Sequence, residues 1–224
     1  LYYTVVPNPN LESETSKSIE FGLRGYGESS NWDLAFYRNE VKGFIHYEII
    51  GFSQGLGIYQ YQNAENVEID GLEFSYNKEL SDNLSIKAAF AMGNGEEIEG
   101  GKRTPMIEID PNELILGLDW TSSDEKLGLQ ALYSLSGKSK DNLEPVCLNN
   151  SCSPRFTTGG FGIIDIFGFY NINDHIEMRL AIENLTDKKY HRWASVAQLP
   201  EDDAELDLYG QSGRALSASF KYKF

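Results

Sequence analysis

Three histidines, a close pair of cysteines and a run of carboxylates are the side chains with chemistry to offer. His46 sits in "GFIHYEII" beside Tyr47, His175 in the turn "NINDH", and His191 in "KKYHRW" beside Arg192 and Trp193. Imidazole titrates near neutral pH, ligates metals and moves protons, but a lone loop histidine is as a rule simply solvated. Arg and Trp are typical anchors of protein interfaces, and a strand-end tryptophan serves equally as an interfacial aromatic. Glu201, Asp202, Asp203, Glu205 and Asp207 could gather oxygens for Ca²⁺ or keep a loop solvated and anionic. Cys147 and Cys152 fall in the polar stretch "PVCLNNSCSPR", the pattern of a loop disulfide in an oxidising compartment. Two thiols with no neighbouring His make no zinc site. Neither G-x-S-x-G, H-E-x-x-H nor a P-loop is present, so no catalytic constellation points to an enzyme. "GNGEEIEGG" carries acids where a phosphate cradle needs a Lys or a helix start.

The elements that hold these residues are strands. Strict alternation is plainest at the C-terminus, where Leu216, Ala218, Phe220, Tyr222 and Phe224 share one parity and Ser217, Ser219, Lys221 and Lys223 the other. A period of two gives a strand with one oily and one wet face. The same period predicts about nine strands: Ser18–Tyr26, Trp32–Val41, Tyr59–Tyr76, Asn83–Met92, Glu113–Thr121, Leu127–Ser136, Gly160–Asn171, His175–Asn184 and Gly213–Phe224. In the third, the apolar parity slips at Gly71, which predicts a bulge there.

The connections decide what kind of sheet this is. Short polar turns ("GESSN", "ELSDN", "SSDEK", "NIND") alternate with long segments, Lys42–Ile58, Gly93–Asn112, Gly137–Gly159 and Leu185–Ser212. A soluble sandwich has no reason to send every long loop to one end. A membrane barrel of the outer-membrane kind has one, with short turns on the periplasmic side and long loops outside. Tyr26, Trp32, Tyr76, Trp120 and Tyr170 at strand ends fit interfacial girdles. Mean hydropathy is −0.40, as expected when only alternate residues meet lipid, and no apolar run reaches the roughly 20 residues of a membrane helix. With 34 acidic against 19 basic residues the net charge is −15, which disfavours nucleic acid as a partner.

Nine antiparallel strands is an odd number, whereas single-chain bacterial barrels are even-numbered. Two free edges in lipid are not tolerable. Residues 1–224 are therefore expected to be the C-terminal portion of a larger all-β, antiparallel transmembrane barrel.

"NPNLESETSKSIEFGLRG" resembles the NPNL box ahead of a barrel strand in TonB-dependent outer-membrane receptors. "IYQYQNAENVEIDGLEFS", "TPMIEIDPNELILGLDW" and "ENLTDKKYHRWASVAQLPEDDAELDLYGQSGRALSASFKYKF" follow in order. The "QYQN" and "DKKYHRW" stretches are closest to the haem and haemoglobin branch. The resemblance implies a 22-stranded barrel around an N-terminal plug, with neither the plug nor the first strands in this chain. It implies active uptake driven through the TonB complex, with the C-terminus periplasmic and the barrel in outer-membrane lipid. Haem or a haem protein would be the extracellular ligand, with no intrinsic cofactor. A siderophore or other metal chelate is the alternative ligand, and a passive porin-like barrel the second alternative. The "FRAP" box and the histidine between it and NPNL are not found in the residues before Asn8.

Candidate ligand-binding residues on this basis are Asn8, Pro9, Asn10 and Leu11, although Asn and Pro there can equally serve only to shape a loop. His46 and Tyr47 join them, since His and Tyr both ligate haem iron, and so do Arg192 and Trp193. Phe220, Tyr222 and Phe224 resemble the C-terminal aromatic signal read by the barrel-assembly machinery.

Overall fold

The computed structural model describes residues 4–54, 56–63, 66–141, 143–148 and 151–224. In chain order the strands are β1 (Thr4–Val6), β2 (Thr15–Tyr26), β3 (Ser30–Lys42), β4 (Ile45–Ser53) and β5 (Leu56–Asn63). Next come β6 (Asn66–Ser81), β7 (Leu84–Glu99), β8 (Lys102–Pro105), β9 (Glu113–Thr121) and β10 (Leu127–Ser136). The last are β11 (Val146–Leu148), β12 (Ser151–Ser153), β13 (Phe161–Asn173), β14 (Ile176–Glu183) and β15 (Ala215–Tyr222). A helical turn, α1 (Trp193–Val196), and a 3₁₀ turn at Leu206–Tyr209 lie in the last long connection.

The main sheet runs β2–β3–β6–β7–β9–β10–β13–β14–β15, antiparallel throughout, with β8 added alongside β7. It is an open, partial barrel: β2 and β15 are its two edges and do not pair with each other. Register makes one face continuously apolar. The row Leu34, Phe74, Phe90, Leu114, Leu135 runs across five strands, and Ile86, Leu118, Ala131, Ile166, Ile182, Leu216 across six. Among the described residues nothing covers this face, and Ile19, Phe21, Leu129, Leu180, Leu216 and Phe220 are all exposed. A sheet that shows a wide apolar face away from its own chain is built to meet hydrocarbon. The other face is mixed and polar, with the Lys87 ammonium 3.0 Å from the Asp119 carboxylate and Gln130 donating to Asp119 at 2.5 Å. Arg24 pairs with Asp33 on the same face. No helix among the described residues is long and apolar enough to cross a membrane, which says nothing about strands.

Two expectations need correction. Tyr59–Tyr76 is not one strand: Tyr59 and Tyr61 lie on β5, in a separate three-stranded sheet of order β1–β5–β4, and the barrel strand begins at Asn66. Alternation reports which faces are wet, not which sheet a segment joins, so the change of sheet was invisible in the sequence. Nor is Gly71 a bulge. β6 pairs without a break from Asn66↔Ile98 to Glu79↔Ser85, and its only register shift lies between Glu79 and Ser81. Gly71 is opposite Tyr37, and a Cβ there would stand 2.4 Å from the phenol ring and 2.7 Å from the Met92 carbonyl oxygen. The glycine makes room for a ring. The slip in parity marks instead a change of apolar face, with buried Val67 on the inner side above Gly71 and Leu72 and Phe74 on the outer side below it.

The long connections also hold more order than their composition suggested. β4 lies in the first, β7 runs on to Glu99 and hairpins into β8 in the second, β11–β12 stands in the third, and α1 in the fourth.

Candidate functional site

All the long connections leave the same end of the sheet, and there they form two bodies. The first is the sheet of β1, β5 and β4. β1 joins it in parallel, Thr4 opposite Ile58 and Val6 opposite Gln60, and the NPNL box that follows is tied down by amides. Asn8 donates through Nδ2 to the Tyr61 carbonyl at 2.9 Å and to Gln62 Oε1 at 3.2 Å, while its Oδ1 accepts from the Asn10 amide at 3.0 Å. Gln60 donates to the Pro7 carbonyl at 2.7 Å. Asn63 accepts from the Glu12 amide at 2.9 Å and donates to the carbonyls of Glu12 and Gly43. "NPN" and "QYQN" are therefore two halves of one clasp, brought together across about fifty residues of chain. Pro9 and Leu11 continue the box, the Leu11 amide returning to the Asn8 carbonyl at 3.4 Å.

His46 and Tyr47 point to opposite sides of this sheet. His46 Nδ1 lies 3.1 Å from Glu97 Oε1 on the inner side of β7, each side chain 28% exposed. That oxygen is out of water and receives no hydrogen bond of good geometry from the described residues. Tyr47 stacks on Tyr59, ring centroids 4.8 Å apart and 10° from parallel, and leans on Tyr61 at 5.0 Å. Offset stacking at such distances is favourable beyond the area it buries. Tyr47 and Tyr61 keep outer edges exposed, giving the hairpin an aromatic surface at the loop end of the barrel.

The second body is built from the third and fourth long connections, with Ile107 of the second packed against it. Trp193, Val196 and Ala197 form its core, packed by Ile107, Leu143, Phe156, Leu199 and Leu206. Trp193 is 5% exposed and its indole donates to the Ile107 carbonyl at 2.8 Å. Arg155 bridges the two connections, donating to the carbonyls of Glu144 and Ala197. Burial pulls its guanidinium below the ordinary arginine value, against the pull of Glu108 and Glu144. His191 meets the Leu206 carbonyl at 3.1 Å and the Phe156 ring edge-on. At the root of "ENLTDKKY", Asn184 is 4% exposed and holds Lys188 and Ser212 through three hydrogen bonds. Asn184 and Asp187 both adopt positive φ, which Asn and Asp tolerate better than most residues. Arg192, beside the buried tryptophan, is exposed.

Cys147 and Cys152 are disulfide-bonded directly across the β11–β12 pair. In the acidic stretch Asp203 accepts the Glu205 amide at 2.8 Å within a turn, and Asp202 accepts a bond from Ser153 of β12 at 3.2 Å. Among the described residues no His, Cys, Asp and Glu side chains gather as a metal site. His175 lies at the opposite end, its Nδ1 3.0 Å from the Lys223 carbonyl. Phe220 and Tyr222 continue the apolar face on β15, and Phe224 sets its ring edge-on to Tyr222 at 5.0 Å.

Sequence reasoning missed Gln60, Asn63, Tyr59, Tyr61, Glu97, Arg155 and Asn184. Their contacts cross sheets and loops, and for Gln60, Tyr61 and Asn63 the hint was the family resemblance of the "QYQN" stretch.

Hemoglobin-haptoglobin utilization protein B of Neisseria meningitidis is 25% identical over 97% of this chain, which spans 31% of that protein. The ferric enterobactin receptor PirA of Pseudomonas aeruginosa is 26% identical over 98% of the chain and 29% of its own length. In fold, the copper transporter OprC matches with a TM-score of 0.79 at 18% identity, over 96% of this chain and 33% of its own. The chain thus spans about a third of the length of the relatives it matches. The family profile described as TonB dependent receptor-like, beta-barrel, matches residues 1–185. With one lipid-ready face, nine barrel strands among its described residues and structured loops gathered at one end, this chain belongs to the TonB-dependent receptor β-barrel family.

Proposed function

We propose that the chain is part of an outer-membrane receptor that takes up haem, or captures a haem protein to extract it, with energy delivered by the TonB complex. The C-terminus is periplasmic in this reading, and the two loop bodies face outward. What supports the ligand class is the similarity to the haemoglobin-haptoglobin utilization protein, which extends over nearly the whole chain and so over both loop bodies. In this role the clasp of Asn8, Pro9, Asn10 and Leu11 fixes the height of the β4–β5 hairpin. The hairpin then offers Tyr47, and His46 if it leaves Glu97, to an incoming haem. Arg192 is an exposed cation available to a protein ligand, and Trp193 stiffens the body that carries it.

A siderophore-uptake reading is favoured by the comparable similarity to PirA, since one scaffold serves many ligands. Titrating haem into the intact receptor and following the haem absorbance band separates the two. Saturable spectral change, together with growth on haemoglobin as sole iron source, is the expected result. No spectral change, with growth on a ferric siderophore, overturns the haem reading.

A further inference from the structure

The apolar face has a notch. β7 and β10 each present five outward apolar side chains, Leu84 to Met92 and Leu127 to Leu135, whereas β3 presents Trp32, Leu34 and Phe36 and then Arg38. β6 likewise presents Leu72, Phe74 and Tyr76 beneath Asp70. Strands in a barrel tilt, so the upper edge of the apolar band should cross the register rows at a steady slope. From Met92 on β7 to Leu216 on β15 it steps down three rows over five strands. The same slope carried back to β3 puts the row of Arg38 and Asp70 level with the band, not above it.

Charged groups of the strands fill that notch and the rows over it on the outward parity, and Lys140 joins them from the connection after β10. Lys17 is opposite Glu40, Glu40 opposite Glu68 and Glu68 opposite Glu96, with Lys42 one row higher. Arg38 lies 3.2 Å from Glu40 and 3.1 Å from Glu68, and Arg103 lies 3.1 Å from Glu68 and 2.7 Å from Glu96. Lys140 reaches over to Asn94 Oδ1 at 2.6 Å. Both guanidinium side chains remain 51% exposed, held in place by carboxylates with their far edges free to donate. In a chain with 34 acidic and 19 basic residues, this patch gathers five of the basic and only four of the acidic ones.

From the notch and its charge we infer that the outward faces of β2, β3, β6 and β8 bind the phosphate-bearing headgroup of an outer-leaflet lipid. Bare charges at this depth would be costly against hydrocarbon. A headgroup drawn into the notch supplies phosphate oxygens for Arg38, Arg103, Lys17 and Lys42, and arginine matches such oxygens with two parallel donors. The inference rests on the membrane-spanning reading of the sheet and is indifferent to which ligand the receptor carries.

The test uses the intact receptor in nanodiscs of phosphatidylcholine doped with bis-phosphorylated lipid A, with retained lipid counted by native mass spectrometry. Wild type should retain lipid A and release its dephosphorylated form. Lys17→Ala with Lys42→Ala, and Arg38→Gln with Arg103→Gln, should each weaken retention about 30-fold, the worth of two cations at an anionic surface. If the arginine pair does not fold, the lysine pair decides. Equal retention of dephosphorylated lipid, or unchanged retention in the lysine variant, overturns the inference. Displacement by millimolar inorganic phosphate makes this a free-anion site and overturns it too. Failure of the wild type to enter nanodiscs overturns the membrane reading itself, a separate outcome.

Discussion

Replacing Trp193 by Ala tests whether the second loop body is a unit with its own core. The indole is 5% exposed, touches a cluster of apolar residues from three connections and donates to the Ile107 carbonyl across 86 residues of chain. Truncating a buried tryptophan to alanine costs about 3–5 kcal/mol. Here that cost falls on a local unit, because none of the barrel's ladder bonds pass through α1. A loss of about 3 kcal/mol raises the open population of such a unit by more than about 100-fold. Trp193→Phe keeps most of the area but strands the Ile107 carbonyl, and should cost about 1–3 kcal/mol. Hydrogen exchange on the intact receptor reads both. Amides at Phe156, Ala197 and Leu199, which bond within this body, should lose protection in the order Ala, then Phe, while β9 and β10 keep theirs. Protection that falls equally in body and barrel, or in neither, refutes a separate core at Trp193.

Asn63→Ala removes three bonds that join β5 to Glu12 and Gly43. It should loosen the β4–β5 hairpin by about 2–3 kcal/mol, read as faster proteolysis at the hairpin with the barrel intact. Gly71→Ala should destabilise the barrel because its Cβ would strike the Tyr37 ring. Made in a Tyr37→Ala background, Gly71→Ala should cost less but not nothing, since the Met92 carbonyl oxygen still lies 2.7 Å from the new Cβ; an equal cost in both backgrounds would refute the ring as a cause. In the turn after β9, Asp124 is held below the usual carboxylate range, chiefly by the Ser122 hydroxyl and then by the Lys126 amide. A depressed folded value means the turn gains stability above the unfolded carboxylate range and loses it as pH falls through the folded value. The protection of the Lys126 amide, its exchange rate taken relative to the intrinsic rate at each pH, should fall over that acid window in wild type, and Asp124→Asn should show no such step.

What could be read from the sequence follows from the physics of each part. Leu127, Leu129, Ala131, Tyr133 and Leu135 alternate because lipid and lumen impose opposite demands on neighbouring residues, and that demand is local. The order β9–β10 and β13–β14 was legible because two short polar turns join them. The loop bodies were not, since Trp193 finds Ile107 and Asn8 finds Tyr61 through contacts with no periodicity. Tyr59 misled because a strand in a small accessory sheet alternates as well as one in the barrel. At Gly71 the parity slip was seen and its cause mistaken.

That slip carries a consequence for how length changes can be absorbed. β6 is one unbroken strand whose oily residues lie inside above Gly71 and outside below it. Dropping or adding one residue between Val67 and Gly71 would turn one half of the strand over, since a one-residue shift exchanges every face. Either Val67 would be thrust outward, or Leu72, Phe74 and Tyr76 would turn to the lumen and Glu73 and Ser75 to the outside. Between Val67 and Gly71, only changes of two residues at a time leave both solvents on their proper sides.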